Sequence, residues 1–284
     1  MVPDPYLPLS TKDAELPASV TETLRRDDSD RFLSALFVPA EKRSQVLALY
    51  ALDRDLKRIP ATVSEAMLGA IRFQWWRDTI GAIYEGQPPR HEIVPALAAA
   101  VRDGNLDPKD FHAWLDARED EMAEQPFASL DDMTSHAARS DGTVMSMAVQ
   151  VLTGETLPAA ASLGTAYGLI DLLRRAAPAA ARRIFLLPAD GAAAEIEVFL
   201  SGKITSAISQ SYTAIADAAL AIIERERATP MNKNALPGIL HAGLVPGYAR
   251  LMGRAGFNPM TMSADIPAYR RQLSLLARVL RGRI

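Results

Sequence analysis

Two carboxylates four residues apart on a helix project from one face. Asp116 and Asp120 have that spacing, with Glu119 and Glu121 beside them. Hard carboxylate oxygens in such an array suit Mg²⁺, although the commoner reading of an acidic run is a solvated helix face. The four histidines, His91, His112, His136 and His241, are scattered along the chain. They read as surface or satisfied core residues rather than as acid–base groups or ligands. Cysteine is absent, which excludes disulfides, thiolate metal sites, iron–sulfur ligation and a thiol nucleophile. There is no GxGxxG, P-loop, GxSxG or HExxH string. Local motifs alone therefore assign no reaction.

The 284-residue chain carries Lys+Arg 31 against Asp+Glu 34, a net charge of −3. That balance argues against general nucleic-acid binding. Apolar residues at 49% and charged residues at 23% describe an ordinary globular chain with a sizeable core. Stretches such as Val94–Val101 and Ala214–Ile223 fall short of the about 20 apolar residues a membrane-spanning helix needs. The acidic, proline-bearing start has neither the pattern of a secretion signal nor that of a transit peptide. The expectation is a soluble, cytoplasmic protein, or one held peripherally at the inner membrane.

The elements that must position any site are helices. Val, Ile and Thr do not alternate with polar residues for long, so strand signals are weak. Apolar residues recur instead every three to four positions. The spacing predicts helices over Ser29–Phe37 and from Pro39 to a stop or kink at Pro60. The next runs from Ser64 past Tyr84, with two apolar rows that imply burial on more than one side. Others are predicted over His91–Arg102, from Pro108 to Met122, from Ser129 to Leu152, and from Pro158 to Arg175. The last four are predicted over 192–200, 204–226, 235–254 and 266–280. Trp75-Trp76 reads as core packing, with a partner surface as the alternative. Arg278–Arg283 reads as a solvated helix end or a contact for an anionic membrane. The whole predicts a single all-α bundle over 21–284 preceded by an N-terminal arm over 1–20.

Three stretches then resemble the squalene/phytoene synthase family. They are ALYALDR (48–54) with SEAMLGAIRFQWWRD (64–78), Gly142-Thr143-Val144, and LGTAYGLIDLLR (163–174) closed by Leu187-Pro188. The resemblance implies an isoprenoid-synthase-like helical bundle around a central cavity lined by Tyr50, Asp53, Tyr167 and Asp171. Family enzymes condense two isoprenoid diphosphates head to head. Mg²⁺ ions held by two aspartate-rich motifs neutralise the leaving diphosphate. This sequence departs from the family at those motifs. The metal-motif positions read Lys57, Arg58, Ala61, Arg175 and Ala179, while Arg174 is kept and a glutamine position reads Gly168. Like charges about 4 Å apart repel by about 4 kcal/mol at an effective dielectric of 20. Cations there oppose Mg²⁺, and the expectation is no cofactor, with Mg²⁺ only if the chain is an enzyme after all.

DRFLSALF (30–37), LDARE (115–119), GLVPGY (243–248) and RGRI (281–284) resemble a degenerate branch of that family associated with assembly of respiratory complex I. The resemblance implies a non-catalytic role with complex I subunits or assembly proteins as partners. Two alternatives remain open at this point. One is a prenyl transferase with a non-standard site, in which Arg54, Lys57, Arg58, Arg174 and Arg175 hold a diphosphate. The other is a module that binds an isoprenoid or lipid ligand in the cavity. The same cations read equally as structural partners of Asp53, Asp55 and Asp171.

Overall fold

Helix-favouring runs punctuated by caps organise the chain from end to end. The computed structural model describes residues 15–63, 65–123, 125–189, 195–227, 229 and 232–284. Among them there is no strand. Helices α1 (Ala18–Asp27), α2 (Ser29–Ala35), α3 (Ala40–Thr62), α4 (Ala66–Tyr84), α5 (Val94–Gly104) and α6 (Pro108–Asp120) form the first half. Helices α7 (Leu130–Ala137), α8 (Thr143–Thr153), α9 (Pro158–Ala180), α10 (Ile196–Leu200), α11 (Ser206–Glu226), α12 (Leu236–Ile239), α13 (Val245–Met252) and α14 (Ala268–Arg281) form the second. Of the arm expected over 1–20, residues 1–14 lie outside the described residues, and Ala18 already opens α1.

Several starts follow from capping chemistry. Asp107 accepts a hydrogen bond from the Lys109 amide at 2.8 Å, with Pro108 at the first helical position of α6. Ser129 accepts from the Asp132 amide at 3.1 Å, and Asp132 in turn accepts from the Ala128 amide at 2.9 Å, a reciprocal arrangement that opens α7. Left-handed residues close three helices: Asn105 (φ 50°) after α5, Gly154 (φ 77°) after α8 and Gly282 (φ 66°) after α14.

The structure corrects five expectations, one of them being the helix expected over 235–254, which a 3-10 segment, Leu240–Leu244, divides into α12 and α13. Pro60 does not stop α3, which runs on to Thr62. Pro178 likewise sits inside α9, which reaches Ala180 rather than ending at Arg175. Both prolines fall in the last turn, so the lost amide and the ring's push on the carbonyl four residues back act where only two helical residues remain. The helix expected over 129–152 is broken by a π-helical turn, Ala138–Gly142. Finally, α4 is buried on one side only. Phe73, Trp76 and Ile80 enter the core, whereas Met67, Ile71 and Trp75 are exposed. The tryptophan pair is thus split between interior and surface, ring edge to ring face at 4.7 Å.

Two apolar cores result. One gathers α3, α4, α5, α6 and part of α8; the other gathers α9, α11, α13 and their neighbours. The two longest helices among the described residues, α3 and α9, carry the two motif segments to which the resemblance points. What lies between those motifs is the question the site answers.

Candidate functional site

Residues four apart share a helix face, and in each motif that face now carries one acid and one base. On α3, the Lys57 ammonium meets Asp53 at 2.9 Å. On α9, the Arg175 guanidinium meets Asp171 at 2.9 Å. Lys57 also reaches Asp171 at 2.9 Å and Asp141 at 3.2 Å, which ties the two helices together.

The remaining partners come from other elements. Arg31, on α2, donates to both Asp53 and Asp141. Arg118, on α6, donates to Asp53 at 2.9 Å, to Asp141 at 2.7 Å and to Glu121 at 2.7 Å. Glu121 accepts two bonds from Arg175, at 2.6 and 3.2 Å, and one from the His136 Nε2 at 3.0 Å. The Trp114 indole donates to Asp53 at 2.9 Å. Four carboxylates (Asp53, Glu121, Asp141, Asp171) therefore interlock with four cations (Arg31, Lys57, Arg118, Arg175). Arg31, Asp53, Arg118 and Asp141 are at most 1% exposed. Buried charge at this density persists only when it is fully paired.

The electrostatics are consistent with that pairing. Burial alone pushes each of the four carboxyls up. The cations outweigh it: Arg118, Lys57 and Arg31 hold Asp53 well below the usual carboxylate range and lower Asp141. Arg175 and Arg118 do the same to Glu121, and Lys57 and Arg175 to Asp171.

Local backbone geometry delivers Asp141. The π turn swings it against α9, where Gly164 and Gly168 let the chains approach. A Cβ on Gly168 would stand 2.9 Å from the Asp141 Cβ, and one on Gly142 would stand 3.0 Å from the Ala161 carbonyl oxygen. Gly168→Ala is therefore expected to cost about 1–3 kcal/mol through overpacking, read as a fall in the urea midpoint. No change in that midpoint would mean that the contact yields freely.

A second charged cluster adjoins the first. Asp30 accepts from Arg271 at 2.9 Å, from Arg174 at 3.3 Å, and from the Tyr248 and Tyr167 hydroxyls at 2.7 and 3.3 Å. Arg174 also reaches Asp265 at 2.5 Å. Where the resemblance placed cavity walls, Tyr50 and Tyr167 are fully packed. The Arg31 guanidinium lies 5.4 and 5.5 Å from their ring centres. The buried His241 ring meets their rings in edge-to-face contacts at 5.8 and 4.7 Å.

The remaining candidates sit at the rim. Arg54 pairs with Asp55, and Arg58 lies half in solvent, 3.5 Å from Asp27. Both edge a cleft of about 640 Å³ whose wall mixes acids such as Asp27 and Asp28 with Arg26, Lys57 and Arg174. Ala61 and Ala179 line a small cavity of about 90 Å³ beside Lys57, Glu121 and Arg175. Of the acidic run on α6, Asp116 pairs with Arg77 and Asp120 with Arg139 near the surface; Glu121 alone turns inward.

This donor set does not fit a cluster of Mg²⁺ ions. Both oxygens of Asp53, Asp141 and Glu121 already accept from guanidinium, ammonium or indole groups. Among the described residues no three Asp, Glu or His side chains converge as a metal site. Arg31, Arg118, Asp141 and Asp30 escaped the reading of the sequence. Arg31 and Arg118 stood inside stretches already singled out, and Asp141 directly precedes Gly142.

Comparison with known proteins adds three findings. The squalene/phytoene synthase family model matches residues 24–277. Curated relatives named NADH dehydrogenase (ubiquinone) complex I, assembly factor 6, from Bos taurus and Homo sapiens, are each 30% identical over 172 residues. That match covers 60% of this chain and 52% of theirs, so the chain spans about half the length of the curated relatives it matches. A dehydrosqualene synthase solved with a ligand superposes with a TM-score of 0.77 at 17% identity, covering 95% of this chain and 96% of that one. The squalene synthase HpnC from Alicyclobacillus acidocaldarius gives a TM-score of 0.61 at 14% identity, covering 96% and 98%.

Proposed function

The chain belongs to the squalene/phytoene synthase family, and from that membership we propose that it is a non-catalytic member, acting by binding in the assembly of respiratory complex I at the cytoplasmic face of the membrane. One observation carries the first half. Lys57 and Arg175, which stand by resemblance where the family carries metal-binding acids, are both spent on carboxylates of the same chain. Ionising an allylic diphosphate requires a dense positive charge free to meet the leaving group. Here the cationic charge is neutralised one for one by Asp53, Glu121, Asp141 and Asp171. No Mg²⁺ cofactor has a place in this reading.

The second half rests on the relatives named for complex I assembly. It is supported by the presence of the family's fold around motif positions that this reading takes as non-catalytic. A scaffold kept in this way serves a surface rather than a pocket, so protein partners among complex I subunits or their assembly proteins fit it. No helix among the described residues is long and apolar enough to cross a membrane, so such work would be peripheral.

Two measurements test the halves separately. Purified protein given farnesyl or geranylgeranyl diphosphate with Mg²⁺ is expected to release no diphosphate and form no coupled product. Deletion of the gene is expected to deplete assembled complex I on native gels. Turnover would restore the enzyme reading, and normal complex I after deletion would remove the assembly role.

A further inference from the structure

Helix α14 presents its apolar side to solvent. Tyr269, Leu273, Leu276 and Leu280 recur at intervals of four, three and four, so they form one stripe. They are 58%, 62%, 46% and 80% exposed. The opposite, inward side is polar. Arg271 bonds Asp30 and Ser29, and Arg278 bonds Ser274 while lying across Gly243, where a Cβ would collide with it. Leu275 is the one fully buried residue of the helix.

The flanks of that stripe are cationic. Residues 266–284 contain Arg270, Arg271, Arg278, Arg281 and Arg283 and no acid. Beside the helix runs a groove of about 670 Å³ whose wall holds Arg227, Arg250, Arg254, Arg270 and Arg278 against a single acid, Asp265. Asp265 is already held by Arg174. An adjoining cleft adds Asp217 and Glu224 near Arg227, Arg250 and Arg254, so the balance stays positive. Among the described residues, none of these five groove arginines pairs with a carboxylate. Burial, with Arg227 and Arg281 nearby, lowers the Arg278 pKa from its ordinary value, as expected of cations crowded without a counterion.

We propose that α14 docks on an anionic phospholipid surface, its Tyr269–Leu280 stripe lying among the upper acyl chains and the adjoining arginine groove receiving lipid phosphates. Fourteen residues make a helix of about 21 Å, too short to span a bilayer and suited to lie in its plane. Guanidinium groups match phosphate oxygens in paired hydrogen bonds. A second copy of the chain is disfavoured as the occupant, because a two-fold contact through this stripe would bring the same arginine flanks together. The inference stands on α14 and its groove, independently of any role in complex I assembly.

The test uses the full-length protein and vesicles of phosphatidylcholine with or without phosphatidylglycerol, read by co-sedimentation. Binding is expected only to the anionic vesicles and is expected to weaken as salt rises. Leu273→Glu with Leu280→Glu is expected to reduce it at least about tenfold. Arg270→Ala with Arg281→Ala is expected to reduce it by about fivefold per arginine. All four sites are on the surface, so urea midpoints should match the parent protein. Failure of the parent to bind anionic vesicles overturns the proposal, as does unchanged binding by the leucine variant. A concentration-dependent dimer that the leucine variant abolishes would assign the stripe to a second copy and overturn it too.

Discussion

Replacing Arg118 by methionine is expected to bring the protein to the edge of unfolding. Methionine keeps the helix propensity and the apolar stem of the side chain while removing the guanidinium with its charge and donors. Arg118 is fully buried and serves Asp53, Asp141 and Glu121 at once. Its loss leaves a buried excess of negative charge that water cannot reach. Breaking one buried pair costs about 3–5 kcal/mol, and this guanidinium completes three. A loss of at least about 5 kcal/mol stands against a total of about 5–15 kcal/mol for an ordinary domain. Arg77 supplies the control. It touches Asp116 and Glu119, both at 2.6 Å, but Asp116 is 56% exposed. Arg77→Met should cost less than about 1 kcal/mol. Urea unfolding of the two variants decides the matter: equal losses would mean that the interior network contributes nothing special.

A partner substitution sharpens the argument. Arg118→Met with Asp141→Asn removes one charge of each sign and returns the network to neutrality. The double variant is expected to be more stable than the two single losses add up to, by about 0.5–3 kcal/mol. Strict additivity would indicate that these groups do not share one electrostatic unit.

Half of this network was legible in the sequence and half was not, for a physical reason. Lys57 and Arg175 stand out through the family resemblance, and a helix then places Asp53 and Asp171 one turn from them. Arg118 has Glu121 one turn away, but the contacts that Arg31 and Arg118 make to Asp53 and Asp141 span 22 to 110 positions. No local periodicity reports such contacts. Asp141 was hidden twice, since its orientation depends on a π turn inside what reads as continuous helix. The helical architecture was legible because apolar spacing and caps are local. Misreadings fell where one residue was given too much authority, as at Pro60 and Pro178, or where apolar meant buried, as at Met67, Ile71 and Trp75. Interior charge pairing and outward apolar faces are both global choices that local spacing does not report.

Acidification is expected to destabilise the protein in two stages, and the first begins well above the carboxylate range. His241 is buried, and burial together with Arg31 and Lys57 drives its pKa well below the ordinary value of 6.5. The unfolded chain takes up this proton below about pH 6.5, whereas the native state does not. Stability is therefore intact above that pH and is lost as pH falls toward the depressed native value, by about 1.4 kcal/mol per unit. The second stage belongs to Asp53, Glu121, Asp141 and Asp171. Their native pKa values are depressed, so their contribution is complete above the unfolded value near 4 and disappears as pH falls through the native ones. Asp28 opposes this limb, because burial raises its pKa and the native state protonates it first. Urea midpoints measured from pH 7.5 to 4 should show both limbs. His241→Gln, which cannot take up the proton, should flatten the first limb while leaving the second. A variant with the slope of the parent between pH 6.5 and 5 would show that the imidazole is not the group held neutral between Tyr50, Tyr167 and Arg31.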